Sequence, residues 1–187
     1  MYYLCGLLSI EVKDLREYRI PFIGLKNGMH HFNYEVDDSF FSHYPASQIS
    51  EAKIFVDLRF DKKDRLFILN FDISGSVKSV CDLCGQDFIL PIHGTHTQYI
   101  KMGEEPVEIT IGNEDVVWIS EGESILDVSE LLYEFIHLSL PMQKIHPDKP
   151  DGNPGCDPEI LKLLQNSKAE ADHTDPRWAA LKHIQKD

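Results

Sequence analysis

The sequence contains no apolar run approaching the ~18 residues that a membrane-spanning helix needs, so no membrane partner is expected. It is also short of positive charge. Lys and Arg total 18 against 31 Asp and Glu, a net charge of −13. Nucleic acid repels such a chain as a whole body. With no Lys/Arg cluster and no basic helix in the body of the chain, a DNA-binding module is not expected. Cysteine is scarce, four in 187 residues, too few for a secreted disulfide scaffold. The apolar start "MYYLCGLLSI" has no basic stretch before it and meets acids and bases from Glu11. No signal peptide is expected, and cytoplasmic residence follows. HExxH, P-loop and GxSxG patterns are absent, and no nucleophile, base and electrophile can be assembled together. An enzyme is therefore not expected.

What is present suffices for a folded body. Hydrophobic residues make up 42% of the chain, enough for a real core. The length predicts one α+β domain over residues 1–167, then a polar link and short helix over 168–187. The N-terminal two-thirds reads as an antiparallel β-sheet or open barrel covered by C-terminal helices. Asn27-Gly28 marks a turn, after which His30, Phe32, Tyr34 and Val36 alternate with Met29, His31, Asn33 and Glu35. "AKIFVDLRFDKKDRLFILNFDISGSV" predicts a hairpin turning at Asp61–Asp64. "FILPIHGTHTQYIKM" and Val116–Ile119 continue the β pattern. From Asp127 the period changes. Val128, Leu131, Leu132, Phe135 and Ile136 fall at helical spacing, with Asp127 as N-cap, Glu130 three residues on, and Pro141 as the stop. "PEILKLLQN" predicts a second helix with Pro158 in its first position. Strands followed by helices mean α+β.

The chemistry lies in "SVCDLCGQDF". Cys81 and Cys84 are two residues apart, and Gly85 permits the positive φ of a tight turn. A redox dithiol would need a helix directly after the pair to lower the thiol pKa. Here "GQDFILPIHG" is β-like, and Asp82 sits between the thiols. A metal turn fits better. Zinc in a structural site takes four ligands, and the proline- and glycine-rich loop over 145–157 offers His146 and Cys156. Cys81, Cys84, His146 and Cys156 would make a Cys₃His site, with His93 and His96 as rival fourth ligands. Cys5 reads as a small core residue. The alternative is four free thiols and no metal.

The hairpin leading to "CDLC", the helix "LDVSELLYEFIHLSLPM", the ligand-bearing loop and the ending "DPRWAALKHI" occur in one order. Together they resemble the YceD-like family of large ribosomal RNA subunit accumulation proteins. The resemblance runs from about Phe32 onward, and Leu140-Pro141-Met142 and Asp175-Pro176-Arg177 are its specific parts. Many members carry a second CxxC after the Leu-Pro helix, where this chain has His146 and Cys156. The resemblance implies a non-enzymatic ribosome-biogenesis factor supporting accumulation of large-subunit ribosomal RNA. The other reading is a metal-dependent hydrolase or nuclease acting on RNA.

The acidity of the chain suits a basic partner, and the resemblance implies that this is a ribosomal protein or a large-subunit precursor, with ribosomal RNA as a further contact. "GEEPVEITIGNEDVV" is either an acidic docking surface or a solvated face. At the C-terminus Asp175 suits an N-cap and Pro176 the first helical turn. Arg177 and Trp178 then head a short basic helix. So short a helix must dock to be ordered, on its own sheet or through Asp175, Pro176, Arg177 and Trp178 on a partner.

Overall fold

The computed structural model describes residues 15–104, 116–150 and 152–171, the last five as backbone only. These residues form an α+β structure dominated by a five-stranded sheet ordered β2-β3-β4-β5-β6. The strands are β2 (Gly28–Asp37), β3 (Ser50–Lys62), β4 (Leu66–Val80), β5 (Asp87–Met102) and β6 (Val116–Ile119). A separate two-stranded ribbon pairs β1 (Arg19–Ile20) antiparallel with β7 (Leu126–Asp127). Three α-helices, α1 (Asp38–Phe41), α2 (Ser129–Leu138) and α3 (Pro158–Ala171), and two short 3-10 helices, Leu15–Tyr18 and Phe22–Gly24, complete the described elements. The chain divides into two compact units. One holds residues 1–79 and 89–142, the other residues 80–88 and 143–187.

In the first unit the period-2 pattern decides which face is buried. Along β3, Ala52, Ile54, Val56, Leu58 and Phe60 point inward, and along β4, Phe67, Leu69, Phe71 and Ile73 do the same. Tyr34 and Val36 add the inward side of β2. Strands β2, β3 and β4 run antiparallel, with Tyr34 opposite Val56 and Val56 opposite Ile73. The β3–β4 register slips between Ser50 and Lys53, where Glu51 takes φ 49°. The Ala52 N–H at this bulge is satisfied by Asp38 Oδ1 at 2.8 Å. Gly75 makes the close approach possible, because a Cβ there would meet the Lys53 carbonyl oxygen at 2.2 Å.

Helix α2 packs its apolar stripe on this core. Val128, Leu132 and Ile136 have no measurable exposure, and the Phe135 ring meets Phe71 at 5.1 Å between centroids. Tyr133 lies half-buried and Glu134 exposed, off the stripe.

Four details depart from the sequence reading. The hairpin turns at Lys63, Asp64 and Arg65 rather than Asp61–Asp64, because Asp61 and Lys62 pair with Ile68 and Phe67. Helix α2 begins at Ser129 rather than Asp127, because Asp127 is drawn into the ribbon opposite Arg19. Its carboxylate still serves the helix start, accepting from the Ser129 N–H at 3.0 Å and hydroxyl at 2.6 Å. Strand β6 pairs parallel to β5, and the 103–115 connection has the length a parallel return needs. Helix α3 continues through Ser167–Ala171 into what reads as a polar link, since Lys, Ala and Glu are strong helix formers.

Candidate metal centre

The second unit is built around a tight turn at the end of β4. The Cys81 N–H donates to the Gln86 carbonyl at 2.9 Å and the Gly85 N–H to the Cys81 carbonyl at 2.9 Å. Gly85 sits at φ +73°, the left-handed conformation that only glycine adopts without strain. Both thiols of the turn thereby face the same side. The residues that follow run into β5, not into a helix, which removes the dipole a redox dithiol would use.

The proline-rich loop is tied to this turn by its backbone. The Asp82 N–H donates to the Lys144 carbonyl at 2.8 Å, and the Lys144 N–H donates to Asp82 Oδ2 at 2.7 Å. Two residues later His146 lays its ring against Phe88, 4.5 Å between centroids. At the far end of the loop Asp157 caps α3, its Oδ1 accepting from the Glu159 N–H at 2.8 Å. The other oxygen accepts from Gln86 Nε2 at 3.2 Å. Cys156 immediately precedes this cap. Gly155 lets the loop close on itself. A Cβ there would stand 2.2 Å from the Pro147 carbonyl oxygen and 2.9 Å from His146 Cβ.

These constraints bring Cys81, Cys84, His146 and Cys156 together, one ligand atom from each, all within 4.8 Å of one another. Cys81 Sγ lies 3.6 Å from Cys156 Sγ. His146 Nδ1 lies 3.4 Å from Cys84 Sγ and 3.7 Å from Cys156 Sγ. Tetrahedral zinc, with Zn–S about 2.3 Å and Zn–N about 2.0–2.1 Å, sets S···S edges near ~3.8 Å and S···N edges near ~3.6 Å. These three spacings lie within about 0.2 Å of those edges, with every other pair inside 4.8 Å, whereas a disulfide would need sulfurs about 2.05 Å apart. The donor set therefore fits a four-coordinate ion. Cys81 and Cys156 are buried, Cys84 and His146 half-buried.

The electrostatics of the thiols are unequal. Burial pushes Cys81 up, but N–H groups of Cys84, Leu83 and His146 and the His146 side chain outweigh it and bring the thiol down to about 6. Burial, together with hydrogen bonds and charge from Cys81 and Cys84, pushes Cys156 up to about 11. The cluster thus already favours one thiolate, and concentrates negative charge where a cation would neutralise it.

Among the predicted ligands, His146 joins the thiols and His93 and His96 do not. His93 is exposed, 4.0 Å from Asp72, and His96 bonds Ser139 at 3.0 Å. Sequence reasoning missed Phe88, Gly155, the Asp82–Lys144 clasp and the Gln86–Asp157 bond. Only Gly155, as a glycine beside a ligand cysteine, carried a visible signal. Cys5, Asp175, Pro176, Arg177, Trp178 and most of the acidic "GEEPVEITIGNEDVV" stretch lie outside the described residues. Among the described residues no helix is long and apolar enough to cross a membrane.

Neither the curated proteins nor the solved structures contain a match to this chain. A family model does match. It is described as "Large ribosomal RNA subunit accumulation protein YceD" and covers residues 69–185, well over half of the 187 and all four converging ligands. The chain belongs to the YceD family.

Proposed function

We propose that this protein is a non-enzymatic, cytoplasmic ribosome-biogenesis factor that supports accumulation of large-subunit ribosomal RNA and carries one structural zinc. The observation that carries the zinc reading is the convergence of three thiols and one imidazole at tetrahedral spacing. Four protein ligands make a closed set. A catalytic zinc keeps a position open for water or substrate, so the donor count favours a structural ion over a hydrolase or nuclease. The ribosomal reading rests on the family, whose description names large-subunit RNA accumulation.

The partner we favour is a ribosomal protein or large-subunit precursor, since a chain of net charge −13 suits a basic surface better than naked RNA. Residues Asp175, Pro176, Arg177 and Trp178 are proposed as a further contact, because an Arg beside a Trp suits a binding hot spot.

Elemental analysis of protein purified without chelator should find about one zinc per chain. Gradient sedimentation of cell extract should place the protein with large-subunit precursors, and removing residues 174–187 should weaken that association without lowering Tm. Metal-free protein that is fully folded overturns the zinc reading. Absence from every precursor fraction overturns the ribosomal one.

A further inference from the structure

The outer face of the sheet carries a feature that the metal centre does not use. On the solvent side of β2, β3 and β4, two adjacent rows stand in register. Asn33 is opposite Asp57, which is opposite Asp72, and beside them Glu35 is opposite Phe55, which is opposite Ser74. These six residues, with the backbone of Tyr34 and Val56, line a trough of about 530 Å³. Phe55 stands in it 58% exposed.

Two properties of this trough are costly to the fold. Asp57 and Asp72 are directly opposite one another across neighbouring strands, an arrangement of like charges that destabilises a sheet. The basic side chains within 4.0 Å of them among the described residues are two exposed histidines, His31 at 3.9 Å from Asp57 and His93 at 4.0 Å from Asp72. A large aromatic ring also faces water beside them. Both features become favourable when one kind of group enters. A guanidinium is planar and weakly hydrated. It stacks on an aromatic face and donates in a fixed fork to carboxylates. An ammonium satisfies the charge but not the stacking or the fork. Within the trough a phosphate backbone meets three carboxylates, and the cations Lys53 and Arg59 stand only on the flanking rows of the same face.

We propose that this trough is a docking surface for an arginine-bearing segment of a basic protein, with a guanidinium stacked on Phe55 and held by Asp57 and Asp72. It rests on, and sharpens, the reading of a basic ribosomal partner. It does not depend on zinc.

The test uses the full chain and fluorescence anisotropy with two labelled nine-residue probes, an arginine homopolymer and its lysine counterpart, at low and high salt. The arginine probe should bind about tenfold more tightly than the lysine probe. Asp57→Asn/Asp72→Asn should weaken arginine binding at least about tenfold. Phe55→Thr should erase most of the arginine preference. The charge-matched control Glu123→Gln/Glu134→Gln, elsewhere on the surface, should have little effect. Relief of the like-charge pair should leave Tm of the Asp57→Asn/Asp72→Asn protein unchanged or raised, so a lowered Tm counts against the idea. Equal loss in the control means that bulk charge does the binding, and equal affinity for both probes removes the guanidinium site. Tighter binding of a single-stranded RNA oligomer, dependent on the same residues, also overturns the proposal. If probe binding fails while the protein still sediments with large-subunit precursors, the trough is wrong and the ribosomal reading stands. If probe binding succeeds and sedimentation fails, the reverse holds.

Discussion

Cys81 Sγ lies 3.6 Å from Cys156 Sγ across 75 residues of sequence. Two buried sulfurs at that distance are in S–H···S contact, and with His146 Nδ1 and Cys84 Sγ beside them they form a donor set that could hold a metal ion. Because the described residues of the loop over 143–157 form no helix or strand, a bound ion would hold the loop to the turn, and metal-binding energy would become folding energy. Cys81→Ser should purify with well under one zinc per chain and melt several degrees lower, read by elemental analysis and calorimetry. His146→Cys should keep the metal, since Cys₄ is an equally good structural set. Loss of zinc in the His146→Cys protein would mean that the imidazole has some role other than ligation.

The two glycines of the centre should fail for different reasons. Gly85→Ala places a side chain at φ +73° with nothing within 4 Å of its Cβ, so the cost is left-handed backbone strain alone, about 1–2 kcal/mol. Asn in its place should recover part of that. Gly155→Ala drives a Cβ to 2.2 Å from a backbone oxygen, which only backbone movement can relieve. It should loosen zinc more than Gly85→Ala, measured by competition with a chromophoric chelator. Equal zinc affinity in the two variants would show that the loop closes without the Gly155 contact.

How far the sequence reaches is visible in these same residues. The turn was legible because CxxC followed by glycine has one economical geometry, and His146 and Cys156 because a proline-rich loop offered few other donors. Strand β2 was legible residue by residue from alternation, and β6 appears at the expected Val116–Ile119. The ribbon of β1 and β7 was not legible. Two-residue strands have no period, and their pairing spans more than 100 positions. That hidden pairing makes Asp127 the last residue of β7, from where its carboxylate meets the start of α2, as Asp37 at the end of β2 caps α1. Nor could any local pattern say that His96 meets Ser139, 43 residues away on another element.

Leu132 tests the core. It is wholly buried on α2 between Val128 and Ile136 on the same stripe. Leu132→Ala should cost about 2–5 kcal/mol in denaturant unfolding. Glu134→Ala, on the exposed side, should change stability by less than about 0.5 kcal/mol. A loss below about 1 kcal/mol at Leu132 would mean that the helix face is only loosely packed.

His96 should make the first unit acid-sensitive. Its ring stacks on Phe135 at 4.8 Å with 5° between planes. Its Nε2 lies 3.0 Å from Ser139 Oγ, and that hydroxyl gives its one proton to the Phe135 carbonyl at 2.7 Å. Ser139 must therefore accept from His96, which places the neutral imidazole's proton on Nε2. Gly94 leaves the room for this, since a Cβ there would meet Ser139 Oγ at 2.1 Å. Burial depresses the His96 pKa. The unfolded chain takes up a proton near pH 6.5 while the folded one resists until lower pH. The unfolded state binds more protons in that window, so stability falls as pH drops below about 6.5 and is unaffected above it. His96→Gln keeps a donor for Ser139 and cannot titrate. Melting curves between pH 7.5 and 5 should show a shallower loss of Tm for His96→Gln than for the wild type, with the other histidines and the metal ligands common to both. Parallel curves would mean that His96 is protonated as readily in the fold as outside it.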